Sequence, residues 1–305
     1  MHSFRLKVAF ALVAMLIWSV GNARDRTLTQ GRFCNPPSGS SRNSLPANMC
    51  FQFNVAYGSD PLQKFDVYMP NTQVQGAPVI LMVHGGGWWQ GDKVDTPVVR
   101  NKVEAWVPTG AVFISVNYPL VPKVNPLQQA QSVAKALAYA QRNASQWGAD
   151  PDKFILMGFS AGAHLVSLLA AQPTLATSLG ARPWLGTVAL DSAAYDIPKI
   201  MNNPYHPTLY DDAFGTDVAL WNAASPMTQL RGRIAPFLAV CTTQESDSCP
   251  RAQDFVDKAG SYGSEAIVQP ENLAHGEIND SLGLRFEYTA QVSEFMSALY
   301  DGTLK

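Results

Sequence analysis

The stretch whose reading decides the fold is Phe154-Ile155-Leu156-Met157-Gly158-Phe159-Ser160-Ala161-Gly162-Ala163-His164. Its first four residues are apolar and long enough for a buried strand, and Gly158-Phe159-Ser160-Ala161-Gly162 fits G-x-S-x-G. Ala161, Leu165, Leu168 and Leu169 then recur at helical spacing. Strand, tight turn and helix is the setting that lifts a serine clear of a sheet as a nucleophile. Small residues two before and two after Ser160 let strand and helix approach closely.

Upstream, residues 78–83 are another unbroken apolar run, as in a strand buried on both faces. It ends in His84-Gly85-Gly86-Gly87-Trp88-Trp89. Glycines there allow the chain to turn several N–H groups toward one point, which is what holding an oxyanion requires. Gly86, Gly87 and Ala161, just after the serine, are the expected donors. Alternating segments at 51–57 and 64–69 predict an antiparallel hairpin at a sheet edge. Further strands are expected at 111–116, 185–190, 236–241 and 265–268, and helices at 126–147, 250–259 and 285–300. Residues 195–230 read as an irregular lid. The alternation predicts an α/β fold, with a mainly parallel central sheet, helices on both faces and a modest lid insertion.

The 305 residues are 47% hydrophobic and 15% charged, with no long linker or repeat, so one catalytic domain over residues 51–305 is expected, preceded by a polar arm at 24–50. The net charge of −2 comes with no basic block and gives a nucleic-acid partner no electrostatic support. Residues 1–23 read as a signal peptide: Arg5 and Lys7, an apolar run at 8–20, then Gly21-Asn22-Ala23 as a small-residue cut site. The run is short for a membrane span. Secretion or a periplasmic location is therefore expected, with no stable span after cleavage. An exported chain with four cysteines suggests disulfides. Of the three pairings, the two short-loop bridges, Cys34–Cys50 and Cys241–Cys249, are favoured. No C-x-x-C or H-x-x-x-H spacing marks a metal site, and the chemistry needs no cofactor.

A serine hydroxyl needs a general base, and the base an orienting carboxylate. Of the five histidines, His2 lies in the leader, His84 opens the glycine loop, and His164 sits one helical turn after Ser160, where a core role fits it. His206 falls in the lid. His275 follows the last expected strand, in the order serine, acid, histidine that accompanies such an elbow. The acid should end an intermediate strand. Asp247 is the first choice, Glu245 the second and Asp191 the third. A Cys241–Cys249 bridge would staple the loop presenting Asp247. Trp88, Trp89 and Tyr118 could line an apolar or aromatic acyl site.

Taken together, these motifs resemble the α/β-hydrolase superfamily, and within it bacterial esterases of the hormone-sensitive-lipase and feruloyl-esterase-like type. The resemblance rests on Phe65-Asp66-Val67-Tyr68-Met69-Pro70, His84-Gly85-Gly86-Gly87-Trp88 with Gly91-Asp92-Lys93, Asn117-Tyr118-Pro119-Leu120, residues 158–162 with His164, and Ala224-Ser225-Pro226. It implies hydrolysis of small acyl or aryl esters. Related members act as arylformamidases, and a non-catalytic binding module on the same scaffold is a third class. The chain departs from the family in its acid loop, Cys241-Thr242-Thr243-Gln244-Glu245-Ser246-Asp247, and in its disulfide-capable cysteines.

Overall fold

Residues 49–72 and 74–304 are described by a computed structural model. The expected leader, most of the arm and the Cys34–Cys50 pairing lie outside the described residues. The hairpin of β1 (Met49–Ala56) and β2 (Lys64–Pro70) forms at the sheet edge as expected, β1 starting two residues into the expected arm. It leads into β3 (Ala77–Val83), β4 (Val112–Val116), β5 (Ala149–Phe159), β6 (Gly186–Leu190), β7 (Phe237–Thr242) and β8 (Ala266–Glu271). They make one sheet in the order β1-β2-β4-β3-β5-β6-β7-β8, in which β2 alone runs against the others.

Side chains alternate across a strand, so an all-apolar strand demands cover on both faces. Val79, Leu81 and Val83 pack beneath helices Pro126–Asn143 and Ala161–Ala171. Their neighbours Ile80 and Met82 pack toward helices Thr96–Trp106 and Phe286–Tyr300. Helix Ser248–Ser261 extends the first layer over β7 through Phe255 against Phe237.

Several elements depart from the sequence reading, among them helices Thr174–Thr177 and His275–Asp280 and the early start of β5 at Ala149; two departures shape the surroundings of the sheet's carboxyl end. Residues 195–230 are four short helices, Ile197–Met201, Leu209–Phe214, Val218–Ala223 and Pro226–Gln229, rather than irregular chain. Pro198 and Pro226 stand in first turns, where a missing N–H breaks no helical bond. The side chains of Asp196, Asp217 and Ser225 accept the first free amides. Helix Thr96–Trp106 has no counterpart in the reading, because Val98, Val99 and Val103 are poor helix formers. What stabilises it is burial of those valines with Trp106.

The segment after the glycine loop is tied to the edge of the sheet. Lys93 and Asp66, at 5% and 0% side-chain exposure, form an ion pair at 3.0 Å. The Lys93 N–H donates to Asn117 Oδ1, Ser115 Oγ donates to the Lys93 carbonyl, and Asn117 Nδ2 donates to Asp92. These contacts explain why Asp66, Lys93 and Asn117 occur together with the glycine loop: they fix where it leaves the sheet. Removing one partner of a buried pair strands the other charge in the interior. Lys93→Ala is therefore expected to destabilise the protein by about 3–5 kcal/mol, measured by urea unfolding. A loss below about 1 kcal/mol, the scale of an exposed pair, would contradict this.

Candidate active site

Parallel α/β sheets place their sites beyond the carboxyl ends of the strands. Here β3, β5, β6, β7 and β8 all deliver residues to one cavity of about 580 Å³. Ser160 follows β5 with φ 53° and ψ −117°, a conformation that costs a non-glycine residue about 1–3 kcal/mol. Packing enforces it. A Cβ on Gly162 would lie 2.2 Å from the Val83 carbonyl oxygen, so only glycine lets helix Ala161–Ala171 sit this close to β3. The Ser160 N–H continues the sheet by donating to the Leu190 carbonyl.

Gly86 and Gly87, both at positive φ, and Ala161 border the same cavity. Ala161 is the first residue of its helix, where the amide has no intrahelical partner. His84 lies beneath this loop. It is 1% exposed, stacks on Tyr118 at 4.4 Å and bonds through Nδ1 to the Gly85 carbonyl. Burial lowers its pKa. His164 has the core role expected of it. Its Nδ1 accepts from Trp88 Nε1, and its other ring nitrogen meets the Ala224 carbonyl at 2.7 Å. Burial pushes its pKa down to about 4.

His275 opens helix His275–Asp280 just after β8, on the cavity wall. Its Nδ1 lies 2.6 Å from Asp191 Oδ2. Burial by itself would lower the His275 pKa. The hydrogen bond and charge of Asp191, with a further contribution from Glu245, outweigh that and hold it above the usual histidine value. Its helix is anchored from behind: the buried Lys102 ammonium reaches the Asn279 carbonyl and side chain at 2.7 and 2.8 Å. Desolvation lowers the Lys102 pKa to about 7.

The carboxylate on His275 is thus Asp191, the third choice from the sequence, and Asp247 must be corrected. Asp247 pairs with Arg251 at 2.6 Å and its side chain is 49% exposed, whereas that of Asp191 is 2% exposed. Asp191 stands directly after β6, itself at a positive φ of 51°. Its other oxygen, Oδ1, accepts from the Thr242 N–H at 2.9 Å and from Ser248 Oγ at 2.5 Å. Neither donor was anticipated. The available signal is position: Asp191 directly follows the buried strand Gly186–Leu190, in which Thr187 is the one polar residue, while Glu245 and Asp247 lie within a polar run.

The aromatic residues divide. Trp89 is 55% exposed at the cavity, whose walls also include Leu209 and Tyr210. Trp88 borders the cavity but is otherwise buried, against His164, Tyr210 and Phe214. Tyr118 does not reach the cavity. It is fully buried, with its hydroxyl donating to the His84 carbonyl, and supports the glycine loop from below. Cys241 and Cys249 form the expected bridge, with a Cα separation of 5.1 Å. No cluster suited to a metal ion occurs among the described residues.

The sequence model of the family described as BD-FAE matches residues 65–253, more than half the chain. Esterase LipQ of Mycobacterium tuberculosis is 26% identical over 239 residues, which cover 73% of this chain and 56% of that protein. Kynurenine formamidase of Salmo salar is 27% identical over 174 residues, 57% of this chain and 55% of that one. The chain therefore spans about half the length of these relatives. The structure of a C6-C4 SN3 inhibited esterase B from Lactobacillus rhamnosis superimposes with a TM-score of 0.68 at 20% identity, over 94% of this chain and 95% of that one. It shares the fold. Nucleophile elbow, glycine loop and strand order thus agree with the family match: the chain belongs to the BD-FAE family of α/β-hydrolases.

Proposed function

We infer that the protein is a serine carboxylesterase acting on small acyl or aryl, feruloyl-like esters. The observation that carries this reading is the 2.6 Å contact between Asp191 and His275, on a cavity that Ser160, Gly86 and Gly87 also border. In the mechanism, His275 takes the Ser160 proton as the hydroxyl attacks the ester carbonyl. Asp191 holds the imidazole with Nδ1 protonated, which leaves Nε2 as the base. The N–H groups of Gly86, Gly87 and Ala161 receive the oxyanion. The leaving alcohol departs with the proton from His275, and water, activated by the same imidazole, frees the acyl group. The exposed indole of Trp89 and the Leu209 side chain offer an aryl or short acyl chain an apolar face. Formamide hydrolysis is the second reading, and the kynurenine formamidase relative favours it. Export to the periplasm or medium belongs to the same proposal, from the leader read in residues 1–23.

Purified protein should hydrolyse p-nitrophenyl acetate or methyl ferulate faster than N-formylkynurenine. It should also be labelled by a fluorophosphonate at Ser160, and Ser160→Ala should lower kcat by about 10⁵–10⁶. Full activity in Ser160→Ala would end the enzyme reading, and a preference for the formamide would select the second one.

The pH dependence has a defined sign. The base works only when neutral, so kcat/KM should rise with pH through the His275 pKa, which lies above its usual value. Glu245→Gln removes one of the charges that hold it there. That substitution should move the limb to lower pH in a pH–rate profile. An unmoved or raised limb would contradict the assignment.

A further inference from the structure

Asp191 is held by two donors that no sequence motif marks. Both are chain neighbours of a half-cystine: Thr242 follows Cys241, and Ser248 precedes Cys249. The torsion that turns a carboxylate about its own bond is broad and roughly two-fold. With 2% exposure, Asp191 cannot be oriented by bulk water. Its plane is set by what meets Oδ1. The Thr242 N–H belongs to the last residue of β7, which the sheet pairs with Glu271. Ser248 is not built into the sheet. Residues 243–247 leave the surface between the two donors, and Thr243, Gln244, Glu245 and Ser246 are exposed. Ser248 then returns to 1% exposure at the first residue of its helix. The disulfide closes the base of this excursion, joining residues eight apart in sequence. It thereby fixes the distance between one donor and the other.

We propose that Ser248 is a positioning residue for the site, and that the Cys241–Cys249 bridge sets Ser248 Oγ and the Thr242 N–H at the spacing that aims Asp191 at His275. The proposal rests on the serine-hydrolase reading above for its effect on rate, but not for its effect on the Asp191–His275 hydrogen bond. The bridge therefore acts on the triad rather than only on the stability of the loop. Ser248→Ala removes one oxygen and leaves the bridge intact. Cys241→Ala/Cys249→Ala removes the bridge and leaves the hydroxyl.

The test reads the hydrogen bond and the rate separately. In protein carrying ¹⁵N-labelled histidine, the His275 Nδ1 proton should give a low-field NMR resonance, identified by its loss in Asp191→Asn. Ser248→Ala and the double cysteine variant should each broaden it or shift it upfield. In ester hydrolysis each should lower kcat on the order of 10–100-fold, the scale of loss seen when a partner that orients a metal-ligating side chain is removed, here applied to a carboxylate that orients a base. KM should change by less than about twofold, because a group acting only through transition-state geometry leaves ground-state binding alone. The two losses should not multiply in the triple variant, because both act on one carboxylate. Circular dichroism and the unfolding midpoint report whether each variant folds, and Ser248→Ala carries the test by itself if the bridge variant does not. A resonance that responds in a protein without esterase activity would keep the brace and end the esterase reading. An active wild-type enzyme whose variants change neither resonance nor kcat would overturn the brace, as would losses that multiply in full.

Discussion

A carboxylate with 2% of its surface exposed must find its hydrogen bonds inside the protein, and at Asp191 those bonds gather the ends of three strands. Asp191 itself ends β6, Thr242 ends β7, and His275 follows β8. An unpaired buried carboxylate would cost several kcal/mol, so the site cannot loosen at one strand without a penalty at the others. The Ser160 N–H bonded to the Leu190 carbonyl adds β5 to the same register. The apolar layers that cover the sheet keep these strands parallel and adjacent, and so they determine where the polar ends meet.

The glycine loop is governed by a second set of constraints, which reaches it from the opposite side. Tyr118 holds the His84 carbonyl from below, and the Asp66–Lys93 pair with Asn117 fixes the chain beyond Gly91. None of Asp66, Lys93, Asn117 and Tyr118 lines the cavity that Ser160 and His275 border. They account for much of the sequence pattern around the loop, and their chemistry is that of buried polar groups which must be mutually satisfied. The helix that presents His275 depends likewise on Lys102, which reaches Asn279 from helix Thr96–Trp106. Orientation at this site is therefore a property of several packed elements, of which the sequence motifs are the visible part.

The sheet was legible because burial on both faces leaves an unmistakable record: residues 78–83 and 154–157 could be little else. The elbow was legible because a positive φ at Ser160 needs small neighbours, and these sit at fixed spacing. The acid is less so. Asp191, Glu245 and Asp247 all lie beyond strand ends; immediate attachment to a strand end marks Asp191, but which carboxylate meets His275 is decided by the loop path after β7. Tyr118 lies under the loop because it continues the alternation of Val112, Ile114 and Val116 into the same core layer, where its hydroxyl meets the His84 carbonyl. Helix Thr96–Trp106 is hidden in the sequence because tertiary burial overrides the weak propensity of its valines.

The central claim is that Asp191, and not the loop acid Asp247, completes the site. It is tested most directly by comparing kcat/KM for Asp191→Asn and Asp247→Asn on one ester. Loss of the orienting carboxylate should lower the value by about 10⁴ for Asp191→Asn. Asp247→Asn should change it by less than about fivefold, the scale of an exposed ion pair. The reverse ranking would contradict the account.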